Sequence, residues 1–233
     1  METETNDIFV TQDGSHSVFS QRYGVSYHSK YGAVQESRHV FIEAGLYPAV
    51  INRKSVAILE IGLGAALNAF LTLIEAERRA LQVYYEAIEA YPLSPQQARR
   101  LNYPSLLGTA DLERQFLLLH ESPWEENIVL TPHFTFRKVL ALAESMDYRE
   151  RFDVVYFDAF APNAQPELWE TAVLSLVYNA LKPLGSLVTY CAKGEIKRRL
   201  RDLGFAVEKL PGPPGKREMT RCIKPPPALP KGG

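Results

Sequence analysis

Blocks of apolar residues alternate with amphipathic segments from Ser55 onward, and this alternation predicts strands followed by helices. Residues 55–61 and 152–157 are apolar runs of the length that parallel strands buried on both faces require. Shorter runs at 81–85 and 186–191 predict two more strands, the first of them ending at Glu86. Helical spacing covers 65–77, 94–101, 112–121, 166–181 and 195–203. Residues 127–131 and 136–142 predict two further strands, either of which can enter the main sheet.

Both ends of the chain differ from this pattern. Residues 1–50 predict an N-terminal extension that packs on the rest, with a short strand at 8–11 and a helix from Val34 to Glu43 that stops at Gly45. Residues 205–210 and 219–224 predict a closing antiparallel pair around the loop 211–218, and residues 225–233 form a Pro-rich tail.

The order of elements predicts an α/β fold with a Rossmann-like, doubly wound sheet over residues 51–224 and a C-terminal antiparallel hairpin. Such sheets bind ligands at the carboxyl ends of their strands, where the strand order reverses. We therefore expect the functional site in the loops after Ile61, Tyr85 and Phe157.

Composition excludes several classes of protein. The chain has 233 residues, of which 46% are hydrophobic and 23% are charged, as in an ordinary folded domain rather than a disordered or collagen-like chain. No apolar run approaches the roughly 18 residues of a spanning helix, and the polar, acidic start predicts no signal peptide. Cys191 and Cys222 lie in apolar stretches, which predicts reduced, buried thiols and a cytoplasmic protein.

Charge is distributed unevenly along the chain. Residues 1–190 carry 15 Lys and Arg against 23 Asp and Glu, whereas residues 191–233 carry 11 against 4. The basic end predicts a phosphate-bearing partner, or else only a solvated basic face. In its helix, Ile196, Leu200 and Leu203 mark the packed side. The exposed candidates for contact with phosphate are therefore Lys197, Arg198 and Arg201.

The first segment that carries chemistry is the glycine loop after residue 61. Gly62 and Gly64 allow a tight turn and a close approach to a ligand, and the following helix directs its free N–H groups there. Residue 67 is leucine, so the dinucleotide fingerprint fails. The acidic Glu60 before the loop suits S-adenosylmethionine, whose methionine end carries an ammonium group. The alternative is a structural strand-to-helix turn.

Two further carboxylates follow predicted strands. Glu86 lies some 22 residues beyond the glycine loop, where a carboxylate can accept hydrogen bonds from both ribose hydroxyls of an adenosine. Asp158 begins a loop with Phe160 and Pro162, in which the carboxylate and nearby carbonyls would hold an amine and the ring would stack on a base. A surface glutamate and a structural turn are the respective alternatives.

The loop between the last two strands is the fourth candidate segment. Its glycines and prolines fix an unusual shape, and Lys216 and Arg217 can reach a phosphate or a carboxylate, although solvated loop charges would look the same. The five histidines and two cysteines show no metal-ligand spacing, so we expect no metal site.

These segments belong to a longer ordered set of motifs. The set comprises SQRYG (20–24), YHS (27–29), GAVQESRHVFI (32–42), residues 60–68, Tyr85-Glu86, residues 158–162 with QPELW (165–169), AKG (192–194) and LPGPPGKREM (210–219). Over residues 8–224 it closely resembles the methyltransferase of bacterial tRNA 5-methylaminomethyl-2-thiouridine biosynthesis. That domain occurs fused to an FAD-dependent oxidase (MnmC) or alone (MnmD).

The resemblance implies a class I S-adenosylmethionine-dependent methyltransferase that methylates the aminomethyl nitrogen at C5 of the tRNA wobble uridine. The matched motifs add Tyr27, Glu36 and Asn68 as cofactor candidates, with Asp158 shared between cofactor and catalysis, and Arg38 and Lys193 as tRNA candidates. An oxidase does not fit in 233 residues, so the chain resembles the stand-alone form. We then expect no FAD, no membrane contact, and a separate oxidase acting on the carboxymethylaminomethyl precursor.

The chain departs from the family pattern at three places. Ala65-Ala66 replaces a Thr-Gly pair in the glycine loop, and Ala164 replaces a lysine found in many relatives. The acid expected after the third main strand is absent, with Glu144 the nearest candidate. Two other functions remain open from the sequence: a methyltransferase or aminopropyl transferase acting on a small amine, and a non-catalytic RNA-binding relative.

Overall fold

The strands of the molecule form two sheets. The computed structural model describes residues 7–227, so part of the predicted extension (1–6) and of the predicted tail (228–233) lies outside the described residues. The strands are β1 (Asp7–Val10), β2 (His16–Ser20), β3 (Val25–Ser26), β4 (Ser55–Ile61), β5 (Gln82–Glu89), β6 (Ile128–Thr131), β7 (Phe134–Leu140), β8 (Phe152–Phe157), β9 (Leu181–Thr189), β10 (Ala206–Pro211) and β11 (Glu218–Ile223).

Helices cover both faces of the larger sheet. They are α1 (Ala33–Ser37), α2 (Tyr47–Ala49), α3 (Leu67–Arg79), α4 (Pro95–Ala98), α5 (Tyr103–Leu106), α6 (Glu113–Glu121), α7 (Thr171–Ala180) and α8 (Gly194–Asp202). A π-helical segment, Arg38–Leu46, joins α1 to α2, and 3-10 turns occur at Ala110–Leu112, Ala143–Ser145 and Pro166–Trp169. No helix in this described part of the chain is long and apolar enough to cross a membrane.

The larger sheet confirms the predicted fold class. Its eight strands run in the order β10-β11-β9-β8-β4-β5-β7-β6. The pairs from β9 to β7 are parallel, while β6 and the β10–β11 hairpin are antiparallel edges. Both strands predicted between residues 127 and 142 therefore enter the sheet. From β4 the chain proceeds to β5 and β7 on one side and then returns to β8 on the other, so the strand order reverses between β4 and β8.

The strand that was predicted to end at Glu86 is longer in the structure, so the predicted bound is wrong. β5 continues through Ala87 and Ile88 to Glu89, because these apolar residues extend the buried run past a single charge. Glu86 therefore lies inside the strand rather than at its carboxyl end.

The predicted helix stop at Gly45 is also wrong, since helical structure continues from Ala33 to Ala49. A Cβ atom at Gly45 would lie 3.0 Å from Cγ2 of Val188 and 3.1 Å from Cε1 of Tyr156. Both neighbours are fully buried. The glycine therefore allows this helical segment to pack closely on β8 and β9, instead of ending it.

The described part of the predicted extension shares the core of the main sheet. β1, β2 and β3 form a separate antiparallel sheet. The π-helical segment buries Val40, Phe41 and Leu46 in the hydrophobic cluster that contains Tyr156 and Val188. Tyr23 and Tyr27 of the extension reach the carboxyl edge of the parallel strands, where they lie beside the loops after β4 and β8. Cys191 and Cys222 are free and buried, as predicted.

Candidate active site at the carboxyl edge of the sheet

Two loops emerge side by side where the strand order reverses. β4 and β8 are adjacent and parallel, with Ile61 opposite Phe157. The backbone N–H of Asp158 donates to the carbonyl of Ile61 at 3.1 Å, which ties the start of the Asp158–Pro162 loop to the glycine loop. A cavity of about 320 Å³ opens there, lined by residues of both loops and of the N-terminal extension. This volume lies within the range of small-molecule sites.

The glycine loop brings bare backbone to this cavity. Gly62 and Gly64 have φ of +88° and +50°. A Cβ atom at Gly64 would lie 2.9 Å from Cδ2 of Tyr27, and one at Gly62 would lie 3.1 Å from the carbonyl oxygen of Asp158. Ala66, where the family has glycine, still adopts the left-handed conformation with φ of +56°. The loop therefore keeps its shape without the third glycine.

Asn68 connects two carboxylates at the floor of the cavity. Its Nδ2 donates to Oε1 of Glu60 at 2.8 Å and to Oδ2 of Asp158 at 2.7 Å. Asp158 and Asn68 line the cavity, but the Glu60 side chain is fully buried and does not. The prediction that Glu60 contacts the cofactor needs correction, because its carboxylate is turned to Asn68 and orients that amide.

Burial perturbs the ionisation of both acids. Removal from water, reinforced by the negative charge of Glu36, raises the pKa of Asp158 to about 7, although Asn68 and Lys216 oppose the shift. Burial and the neighbouring charge of Asp158 raise the pKa of Glu60 well above its usual range. Asp158 can therefore exchange a proton near neutral pH, which is the property expected of a group that handles a titrating substrate.

Glu86 does not reach the cavity. It is fully buried in the middle of β5, and its carboxylate accepts hydrogen bonds from both arginine and tyrosine side chains. The donors are Arg137 at 2.7 Å, Arg151 at 2.8 Å, Tyr84 at 2.5 Å and Tyr148. With both its oxygens engaged, Glu86 is a structural group that crosslinks β5 to β7 and to the loop before β8. The prediction that it binds a ribose is therefore wrong.

Glu89 occupies the place that was predicted for Glu86. It is the last residue of β5 and lines the cavity. Its Oε2 accepts from the N–H of Gly64 at 2.9 Å, and its Oε1 accepts from the N–H of Tyr91 at 2.7 Å. The sequence signal for this longer strand was the apolar pair Ala87 and Ile88, which carries the buried run from Glu86 to Glu89.

Aromatic rings from the extension and the Asp158 loop form one wall of the cavity. The ring centroid of Phe160 lies 4.7 Å from that of Tyr23 and 5.2 Å from that of Tyr27. Gln165 fixes this wall, because it accepts from the Phe160 N–H at 3.2 Å and donates to the Tyr23 hydroxyl at 3.1 Å. Tyr27 and Phe160, which were both predicted as site residues, lie together in this wall. Tyr23, its third ring, was not among the predicted site residues.

The carbonyls expected to hold an amine already have partners. Tyr190 donates its hydroxyl to the carbonyl of Ala159 at 2.7 Å, and Nε1 of Trp169 donates to that of Phe160 at 2.7 Å. These bonds fix the backbone of the loop. The Asp158 carboxylate is therefore the principal acceptor that the loop offers to the cavity.

A second cavity lies on the other side of the same loop. Its lining comprises Ala161, Pro162, Tyr190, Cys191, Ala192, Lys193, Lys216, Arg217 and Glu218. Pro162 thus faces away from the first cavity. Lys216 was predicted to contact tRNA, but its ammonium group is already paired. Its Nζ lies 3.1 Å from Oε1 of Glu36. Glu36, the partner of Lys216, is buried and does not line the first cavity. Its position therefore differs from the one expected of a cofactor-binding residue.

In the basic helix α8, the prediction that Lys197 is exposed is wrong. Lys197 is buried, with 5% of its side chain exposed, and its Nζ forms an ion pair at 2.8 Å with Glu218. It lies on the packed side with Ile196 and Leu200, since positions 196, 197 and 200 share one helical face. Arg198 and Arg201 are exposed.

Two other tRNA candidates remain accessible. Arg38 is half-buried and pairs with no carboxylate among residues 7–227. Lys193 lies at the mouth of the second cavity, where it contacts Asn163 and lies 3.9 Å from Glu195. No group of three or more potential metal ligands occurs within this described range.

Comparison with known proteins agrees with this geometry. Residues 121–225 match a family model described as S-adenosyl-L-methionine-dependent methyltransferase. The tRNA 5-methylaminomethyl-2-thiouridine biosynthesis bifunctional protein MnmC of Delftia acidovorans is 30% identical over 92% of this chain and 34% of its own length. The corresponding protein of Paracidovorax citrulli is 31% identical over 88% of this chain and 33% of its own. The chain thus spans about a third of the length of these relatives.

Solved structures give the same result. The MNMC2 protein of Aquifex aeolicus superposes with a TM-score of 0.78 at 26% identity, covering 99% of this chain and 74% of that one. Spermidine synthase of Thermotoga maritima shares the fold at a TM-score of 0.52 and 12% identity, over 96% of this chain and 70% of that one.

The chain has the fold of the class I S-adenosylmethionine-dependent methyltransferases, and residues 121–225 match a family model of such enzymes. Within that class it resembles the methyltransferase domain of the MnmC proteins, as the ordered sequence motifs predicted.

We predict that Glu86→Ala lowers the free energy of unfolding by about 3–5 kcal/mol, because it leaves two arginines without their buried partner. Chemical denaturation followed by circular dichroism measures this change. Asp147→Ala, which removes a carboxylate from a surface pair with Arg149, should cost less than about 1 kcal/mol. A Glu86→Ala protein as stable as the wild type would contradict the structural role.

Proposed function

We propose that this protein transfers a methyl group from S-adenosylmethionine to the 5-aminomethyl nitrogen of the tRNA wobble uridine, giving 5-methylaminomethyl-(2-thio)uridine. The observation that carries the proposal is the position of Asp158. Its carboxylate lies at the carboxyl end of β8, beside the glycine loop and inside an aromatic-walled cavity. The names of the MnmC relatives, which refer to 5-methylaminomethyl-2-thiouridine biosynthesis in tRNA, support this substrate.

The cavity has the features that S-adenosylmethionine requires. The backbone at Gly62 and Gly64 leaves room for the methionine end, and Glu89 at the end of β5 can accept hydrogen bonds from ribose hydroxyls, because a carboxylate has about four acceptor positions. Tyr27 closes over the loop. S-adenosylmethionine, when bound, supplies an electrophilic sulfonium methyl group.

Asp158 orients the substrate amine toward that methyl group. An alkylammonium has no lone pair to attack with, so the amine must lose a proton before or during transfer. A carboxylate with a pKa of about 7 can hold the N–H bonds of the amine and accept that proton. The rest of the contribution is proximity and orientation, which can lower a barrier by roughly 7–11 kcal/mol. Phe160 and Tyr23 offer aromatic faces for the uracil ring.

Solvent-accessible cations beside the second cavity suit the phosphates of a tRNA. Lys193 and Arg217 line that cavity, and Arg198 and Arg201 extend the basic surface along α8. A substrate of this kind suits a cytoplasmic protein, and an oxidase acting on the carboxymethylaminomethyl precursor would supply the aminomethyl group. Neither FAD nor a metal takes part in the proposed reaction.

A small amine is the alternative substrate, favoured by the acids that line the first cavity and by the fold shared with a spermidine synthase. A polyamine would need several acidic residues along its length, and Glu89, Glu144, Asp158 and Glu167 line the first cavity. The charged residues that line the second cavity are mainly cations, which suit the phosphates of a tRNA instead. Incubation of the purified protein and S-adenosylmethionine with tRNA bearing 5-aminomethyluridine, or with polyamines, distinguishes the two. Nucleoside mass spectrometry should show methylaminomethyluridine, and product from polyamines alone would reject our proposal.

Asp158→Asn should reduce methyl transfer to tRNA by about 100-fold or more while changing S-adenosylmethionine affinity little, because the amide cannot accept a proton. In the wild type, kcat/KM should rise as the pH increases through about 7, where Asp158 becomes a carboxylate. Single-turnover rates across pH test both statements. Near-normal rates in the variant would remove Asp158 from the mechanism.

Glu89→Gln should weaken S-adenosylmethionine binding by about 10- to 100-fold, the equivalent of about 1.5–3 kcal/mol for charge-assisted hydrogen bonds. Calorimetric titration measures the affinity. Glu86→Gln, which alters a carboxylate of the same strand outside the cavity, is the matched control and should leave the affinity of the folded protein unchanged. Equal losses in both variants would contradict the assignment to Glu89.

Replacing Lys193 and Arg217 together with alanine should weaken tRNA binding and reduce its salt dependence. For each phosphate that the protein no longer neutralises, the slope of log K against log salt falls by about 0.7–0.9. The charge-matched control replaces Lys54 and Arg149, which precede β4 and β8 at the opposite edge of the sheet. If both double variants keep the wild-type slope, the tRNA docks elsewhere.

A further inference from the structure

A chain of contacts joins the N-terminal extension to the catalytic loop through the C-terminal hairpin. It begins at Glu36 in α1, whose Oε1 accepts from Nζ of Lys216 at 3.1 Å. The same Nζ lies 3.7 Å from the ring centroid of Tyr190. The hydroxyl of Tyr190 donates to the carbonyl of Ala159 at 2.7 Å. Ala159 is the neighbour of Asp158, so these contacts end at the backbone of the proposed catalytic loop.

The hairpin loop that carries Lys216 contacts the N-terminal extension at several points. Glu36 is 5% exposed, and its Oε2 has no hydrogen-bond partner among residues 7–227. Gly215, next to Lys216, lies so close under Tyr31 of the extension that a Cβ atom there would be 2.2 Å from Cδ2 of the ring. Nε2 of His39 contacts the carbonyl of Pro211 at 2.8 Å. The hairpin loop is therefore anchored to the extension at three points around Lys216.

The two charges of the pair act on Asp158 in opposite directions. Glu36 raises the pKa of Asp158, and Lys216 lowers it. The other titratable groups that interact with Asp158 are Glu60 from β4, Tyr85 from β5 and Tyr190 after β9. Lys216 is the only cation among these five groups, so it adds to the hydrogen bond from Asn68 in opposing the effect of burial on the pKa of Asp158.

We propose that Glu36, Lys216 and Tyr190 act as a positioning unit for the catalytic loop, in which the opposite charges of Glu36 and Lys216 balance one another beside Asp158. None of the three needs to touch the transferred methyl group. Tyr190 fixes the loop backbone, and the ion pair fixes both Tyr190 and the charge state of the carboxyl group. The unit deepens the proposed function, and it assigns Glu36 and Lys216 roles other than binding of cofactor and tRNA.

The test follows the titration of Asp158 in the cofactor-free protein, by NMR of carboxyl-labelled aspartate, with Asp158→Asn to assign the resonance. Glu36→Gln removes the negative charge and should lower the midpoint by about one pH unit, whereas Lys216→Met removes the positive charge and should raise it by about as much. The double variant, which leaves no lone buried charge, should titrate close to the wild type. Lys209→Met, an exposed cation on β10, is the control and should not change the midpoint.

Shifts of both single variants in the same direction, or no shift in either, would overturn the proposal, because a merely structural pair has no reason to move the midpoint in opposite directions. A double variant displaced as far as either single variant would do the same. Tyr190→Phe adds a second readout: kcat should fall, with the S-adenosylmethionine affinity and the Asp158 midpoint retained. Since the titration requires no substrate, the positioning unit can stand or fall independently of the reaction on tRNA.

Discussion

The parallel pairing of β4 with β8 creates the space in which the site forms. The strand order reverses at this pair, so the connections that follow the two strands lead away from each other, and two loops from distant parts of the sequence begin side by side. The reversal explains why the glycine loop and Asp158 lie within one hydrogen bond of each other although they are nearly 100 residues apart. Any side chain at Gly62 would separate them, because its Cβ would press on the Asp158 carbonyl.

Three carboxylates of this molecule differ in the number and charge of their hydrogen-bond partners. Glu86 has four hydrogen-bond donors, two of them cationic, and both of its oxygens are engaged. Asp158 has one neutral amide partner, Asn68, and its burial is compensated less completely, which raises its pKa to about 7. Glu36 has one cationic partner and one oxygen without a partner among residues 7–227. Of these three carboxylates, only that of Asp158 lines the first cavity.

The site is assembled from both ends of the chain around a central sheet. The extension supplies Tyr23 and Tyr27 to the cavity wall, and the C-terminal hairpin supplies Lys216, which packs on Tyr190 next to the loop from Asp158 to Pro162. The extension and the hairpin also contact each other, through the Glu36–Lys216 ion pair and the contact of His39 with Pro211. This arrangement joins the two cavities, since the loop from Asp158 to Pro162 forms a wall of each.

The linear pattern of residues was enough to predict the sheet and the location of the site. The apolar runs at β4 and β8 have the bounds that were predicted, because strands buried on both faces leave an unbroken hydrophobic signal. The glycine loop and Asp158 followed from those bounds. Which charged groups reach the cavity, in contrast, was settled by three-dimensional packing. Glu86, Glu36, Lys197 and Lys216 all have the residue type expected of a site, yet each is turned to a partner far away in sequence. A pattern along the chain records how polar a residue is, whereas its role depends on the partner that folding places beside it.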